Sequence, residues 1–210
     1  MVQPKELAKV SLGAGEIAAI KQYMAGGAPY WSRLSLALCI RLIDLESRRG
    51  EARDVLDEIE ALEGLRAPLN TKPAAPFRRP PLKGFWHKHF STSRHFVRNI
   101  GERWGIAKGG NKELRAMIEE SGSQSGSDIE KMIMRTVHRF VIGGASDRSQ
   151  ANRLTGDWII FAKNKGGENV YLDLATHEEG QNAPDQLVQK LIEGSEAEFP
   201  EVFAEILATP

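Results

Sequence analysis

Residues 155–176, TGDWIIFAKNKGGENVYLDLAT, read as two strands of about 157–163 and 169–175, joined by a loop containing Asn164, Lys165, Gly166 and Gly167. Both strands carry apolar side chains on both faces, among them Trp158, Ile159, Ile160 and Phe161, then Val170, Tyr171, Leu172 and Leu174. A half-solvated hairpin would alternate apolar and polar residues, so this one is expected in the interior. It needs covering layers, and the flanking sequence supplies them.

Upstream, Gly84-Phe-Trp-His-Lys-His-Phe90 reads as a further short strand. Before it, 66–82 contains Pro68, Pro73, Pro76, Pro80 and Pro81, which rule out regular helix or a central strand. The first 65 residues are helical. Leu34, Leu38, Leu42 and Leu45 recur at three- and four-residue steps in 30–49, and Val55, Ile59 and Leu62 do so in 52–63. Further helices are expected at about 94–104, 112–120 and 128–141 and in the acidic stretch 183–208, with SGSQSGS (121–127) as a flexible loop. The fold class is α+β: an N-terminal helical unit (1–65), a proline-rich linker (66–82), and a catalytic domain (83–210) with a small antiparallel sheet and flanking helices.

A formal net charge of zero over 210 residues conceals a strong polarity. Residues 71–110 hold nine Lys/Arg against one acid, Glu102, with His87, His89 and His95; residues 111–210 hold ten basic and seventeen acidic residues. A basic stretch carrying groups that titrate near neutrality suits binding and proton transfer on a polyanion. No apolar run approaches the length that spans a bilayer, and MVQPKELAKV is not a secretory leader, so no membrane partner and a cytoplasmic location are expected. The single cysteine, Cys39, lies among leucines; it excludes an intrachain disulfide and a cysteine-based zinc site. There is no GxxxxGK[ST], GxGxxG, HExxH or GxSxG signature, which disfavours NTPases, dinucleotide enzymes, zincins and α/β-hydrolases.

On a strand, His87 and His89 share a face roughly 6.5–7 Å apart at Cα, with Lys88 opposite. Such a pair can flank a scissile phosphate as general base and general acid. Lys83, Lys88, Arg94 and Arg98 are candidates to bind the phosphate, Lys163 adds a weaker contact, and Trp86 and Phe90 are candidates to stack on bases. Thr176 and His177 end the second hairpin strand, a place where functional side chains emerge. His177 with Glu178 and Glu179 could instead complete a metal site begun by His-x-His. The surrounding cations raise the cost of adding a divalent ion, so no metal and no cofactor are expected.

The basic histidine-bearing segment followed by LTGDWIIFAKNKGGENVYLDLATHEEG resembles the small ribonuclease toxins of the barnase–EndoU–colicin–RelE type, over about residues 84–180. The resemblance implies helices before a compact antiparallel sheet and RNA cleavage without metal. It places His87 or His89 in the acid/base role, His177 or Thr176 at the strand end, and Lys88 or Arg94 on the phosphate. It also implies an antitoxin or immunity-type partner. The chain departs from that group in its extra N-terminal helices and its helical insertion before the hairpin. The expected function is a metal-independent endoribonuclease, with a non-catalytic nucleic-acid-binding protein and a histidine-ligated metalloenzyme as alternatives.

Overall fold

A computed structural model describes residues 11–92, 95–125, 128–143 and 156–208. Its centre is an antiparallel four-stranded sheet in the order β1 (Ala75–Pro76), β2 (Trp86–Phe90), β3 (Asp157–Lys163), β4 (Asn169–Ala175). With the surrounding helices this is an α+β fold. The hairpin strands match the expected spans, and the proline-rich segment contributes the edge strand β1, where Pro76 lacks only a donor that an edge does not need.

Helices cover the sheet on both sides. One face meets α1 (Ala14–Met24), α2 (Leu36–Arg49) and α3 (Ala52–Leu62). Here Leu38, Leu42, Val55 and Ile59 join Phe90, Ile159, Phe161 and Tyr171 in a single apolar cluster. The other face meets α8 (Pro184–Ser195) and α9 (Pro200–Leu207), with Leu187, Leu191, Val202 and Phe203 against Ile160, Ala162, Val170 and Leu172. Leu38, Leu42, Ile160 and Leu172 are fully buried, and truncating any of them to alanine would cost about 2–5 kcal/mol. The short helix α7 (His177–Asn182) connects β4 to α8.

The β3–β4 register slips by one residue between Ile160 and Phe161, a bulge that lets β4 bend over the core. Nearby on β4, the Leu172 carbonyl accepts hydrogen bonds from Ser35 Oγ at 2.5 Å and Ser195 Oγ at 3.3 Å. Ser35 is also the N-cap of α2, its Oγ accepting from Leu38 N at 2.9 Å. One hydroxyl therefore starts a helix and satisfies the strand.

Between β2 and β3 lie α4 (Phe96–Trp104), α5 (Lys112–Ser125) and α6 (Ile129–His138), followed by a π-helical turn, Arg139–Gly143. Helices α5 and α6 pack on each other, and the turn packs on α4. The loop expected at 121–127 is helical as far as Ser125. Ser121 and Ser123 donate back to the Met117 and Glu119 carbonyls, so these hydroxyls find partners within the helix. Among the described residues, no helix is long and apolar enough to cross a membrane.

Candidate functional site

Strand pleating and register build the site. His87 pairs with Ile160 and His89 with Trp158, which puts both imidazoles on the α8–α9 face beside the Trp158 indole. Helix α7 then delivers His177. Thr176 caps it, accepting from Glu179 N at 3.1 Å, while Glu179 Oε2 accepts from Thr176 N at 2.7 Å. Gly180 allows this helix to lie on the indole, because a Cβ there would come within 2.0 Å of Trp158 Cζ3.

The result is a cluster of rings. His177 lies 4.5 Å from Trp158 and 5.0 Å from His89, centroid to centroid, and His87 lies 4.9 Å from Trp158 and 5.6 Å from His89. Phe77, from within the proline-rich segment, closes over His87 at 4.6 Å and Trp158 at 5.5 Å. Three expected site histidines therefore converge, with Thr176 beside them in sequence as the cap of α7.

Burial governs their protonation. Loss of water is the main cause that lowers His87 to about 4 and His89 to about 3, with the nearby His177 and Lys72 acting in the same direction. Both rings are neutral at pH 7. His89 Nδ1 lies 3.4 Å from the Gly156 carbonyl, which can only accept, so in this contact Nδ1 carries the proton and Nε2 presents its lone pair. His87 Nδ1 is buried without a hydrogen-bond partner among the described residues. Each neutral ring keeps one lone pair that can accept a proton, and the same burial makes both weak bases. Among the described residues no group of three or more His, Cys, Asp or Glu side chains has the arrangement to hold a metal ion.

Of the expected phosphate-binding cations, Lys88 and Lys163 lie away from this cluster. Lys88 is 6% exposed on the opposite face, where its ammonium meets Glu58 Oε2 at 3.1 Å, Thr71 Oγ1 at 2.5 Å and the Lys72 carbonyl at 2.8 Å. It is a structural cation, placed there by the same alternation that aligns the histidines. Lys163 lies at the other end of β3 from Trp158, about 16 Å along the strand. It bonds Asn169 Oδ1 at 3.1 Å and sits over the Trp86 ring. Lys83 is exposed in the turn before β2. Arg94 lies outside the described residues, as does the side chain of Arg98. Trp86 and Phe90 belong to the Lys88 face and its core, so they do not flank the histidines. The cation that acts on His87 and His89 is Lys72, and exposed Arg78 and Arg79 directly follow Phe77.

Sequence reasoning missed Phe77, Trp158, Lys72 and Gly180. A T-x-x-E signature at Thr176–Glu179 could have announced α7, but nothing local reveals that Trp158 pairs with His89. His95 has a separate place: Nδ1 accepts from Thr92 N at 2.9 Å, and Nε2 lies 3.6 Å from Asp157 Oδ1, both deep in the fold. Comparison with protein-family models, curated proteins and solved structures finds no match to this chain.

Proposed function

We propose that the protein is a metal-independent endoribonuclease whose catalytic groups are His87, His89 and His177. One observation carries this reading: two histidines on β2 and a third from a helix far along the chain meet around one indole. In the proposed reaction a neutral imidazole, His89 through Nε2, takes the proton of a ribose 2′-OH. The 2′-oxygen attacks phosphorus, the P–O5′ bond breaks, and a second imidazole protonates the leaving 5′-oxygen. The products are a 2′,3′-cyclic phosphate and a 5′-hydroxyl.

The acid must hold a proton that burial alone would strip from it. A bound phosphodiester supplies the correction, because a negative charge beside an imidazole raises its pKa. Lys72, which acts on both rings, and exposed Arg78 and Arg79 beside Phe77 are the cations suited to the equatorial phosphate oxygens. Phe77 offers a ring for a base, a contact worth about 1–3 kcal/mol.

The test is cleavage of RNA oligonucleotides in EDTA. Replacing His87, His89 or His177 by alanine should each lower the rate by about 10²–10⁴-fold while RNA affinity stays within a few fold. Wild-type protein that binds RNA with steep salt dependence but cuts none of it would favour the second reading, a nucleic-acid-binding protein. The depressed titration of His87 and His89 is the observation that favours that alternative.

A further inference from the structure

The histidine cluster is covered by a segment with little of its own to hold it in place. Helix α7 has the sequence HEEGQN, without an apolar side chain, and none of its six residues is buried. The elements on either side are anchored deeply, with Leu172 and Ala175 of β4 and Leu187 and Leu191 of α8 all in the core. A helix this short does not persist by itself in water. What α7 does is shield. The Gly180 backbone lies against the Trp158 indole and the His177 ring lies 5.0 Å from that of His89. Beneath them Trp158 is 6% exposed and His89 4%. Trp158 Nε1 and His87 Nδ1 are sealed with no hydrogen-bond partner among the described residues, so neither atom ties the cover down.

A polar tie fastens α7 to the rest of the fold through Glu179. Its Oε2 accepts from Thr176 N at 2.7 Å, and its Oε1 accepts from Lys190 Nζ at 3.0 Å. Lys190 is a fixed post, because it also donates to the Leu174 carbonyl at 2.9 Å and lies 3.4 Å from Asp173 Oδ2, both on β4. The Glu179 and Lys190 side chains are 39% and 25% exposed, so water and salt weaken the pair. The backbone is non-helical at both ends of α7. Thr176 is extended, and Ala183, at φ −141° and ψ 50°, precedes Pro184. Rotation at such positions leaves the neighbouring elements intact.

We propose that α7 is a lid on the histidine cluster, turning as a unit about Thr176 and Ala183, with the Glu179–Lys190 ion pair as its latch. The inference rests on the reading of this cluster as the catalytic site: His89, the proposed base, meets a substrate only when the lid is open. Segments that bury few apolar groups open locally at far lower cost than the core unfolds, and α7 is such a segment between two that are not.

NMR of the full chain tests this by amide exchange and by broadening from a soluble, uncharged nitroxide. The amides of Gly180 and Ala183, bonded to the Thr176 and Glu179 carbonyls, should exchange about 100-fold or more faster than those of Ile159 and Ile160 in the sheet. Glu179→Ala removes the latch and the helix cap together and should speed α7 exchange by about tenfold or more. The same change should raise nitroxide broadening of the His89 ring protons several-fold, which fraying of α7 above a still-covered cluster would not do. Glu178→Ala, at the exposed neighbouring position, should leave that broadening unchanged. Raising salt from about 0.05 to about 1 M should increase it in the wild type and not in Glu179→Ala. Circular dichroism checks that each variant is folded. Amides of α7 that exchange as slowly as the sheet's, His89 broadening unmoved by Glu179→Ala, or equal broadening in the Glu178 and Glu179 variants would each overturn the lid. Cleavage assays on the same proteins separate the two proposals: latch-dependent access without cleavage of RNA removes the ribonuclease and keeps the lid, and cleavage with access indifferent to the latch does the reverse.

Discussion

Strand β2 has two faces with opposite chemistry. On one, the three protons of the Lys88 ammonium meet three acceptors, and Thr71 Oγ1 in turn donates to Glu58 Oε1 at 2.7 Å. The donors of that ammonium are taken up within the fold, and its charge is cancelled where it is buried. On the other face, one residue away, His87 Nδ1 has no partner among the described residues, and both imidazoles are held neutral among aromatic rings. A buried polar network that closes on itself stabilises or specifies a fold. Unused hydrogen-bonding capacity in a buried position costs stability and calls for another explanation, which is why the histidine face, and not the more basic one, is the candidate site.

The contrast breaks most readily at Glu58. Glu58→Gln keeps the shape but leaves the Lys88 ammonium without its counter-charge, and should lower unfolding free energy by about 3–5 kcal/mol in urea titrations. The paired replacement Glu58→Leu with Lys88→Met should recover most of that loss; a single-variant cost below about 1 kcal/mol would mean that the two faces are not so different.

A smaller effect is expected at Gly180. Helix propensity alone favours alanine there by about 1 kcal/mol, but the new Cβ would have to displace the Trp158 indole. A net loss of about 1–3 kcal/mol is expected, together with shifted ring resonances of His87, His89 and His177 by NMR. Stabilisation by Gly180→Ala with unmoved resonances would show that α7 does not depend on this contact.

The gentlest probe is pH. The folded chain holds His87 and His89 neutral well below the ordinary imidazole value of 6.5, whereas the unfolded chain protonates them near it. Their contribution to stability is complete above about pH 6.5 and declines as pH falls toward about 4 for His87 and about 3 for His89. Unfolding midpoints should drop across that window, and the His87→Gln, His89→Gln double variant should drop less. Parallel curves for the two proteins would remove the difference in protonation between fold and random chain.

Much of this molecule is legible in its sequence because local periodicity marks what each segment buries. The 157–163 and 169–175 strands, the short strand ending at Phe90, and the helices at 36–49 and 52–62 follow from apolar spacing. The i, i+2 relation of His87 and His89 likewise follows from pleating. What spacing cannot give is partnership. Nothing near Lys88 announces Glu58, and nothing near His89 announces Trp158, because those neighbours are chosen by strand register and by which helix lands on which face. The charge run at 71–110 misleads for the same reason: it counts Lys88 as a surface cation when alternation and packing bury it.

The Ser35 hydroxyl reaches across 137 residues of chain to the Leu172 carbonyl. At synthesis rates of about 5–20 residues per second, the interval between the appearance of these two partners is about 7–27 s. For all that time the apolar stripes of α2 and α3 exist without the hairpin they cover. A nascent chain of this protein must keep Leu38, Leu42, Val55 and Ile59 out of trouble until the last two strands emerge, which makes the N-terminal helices the segment most exposed to chaperones on the ribosome.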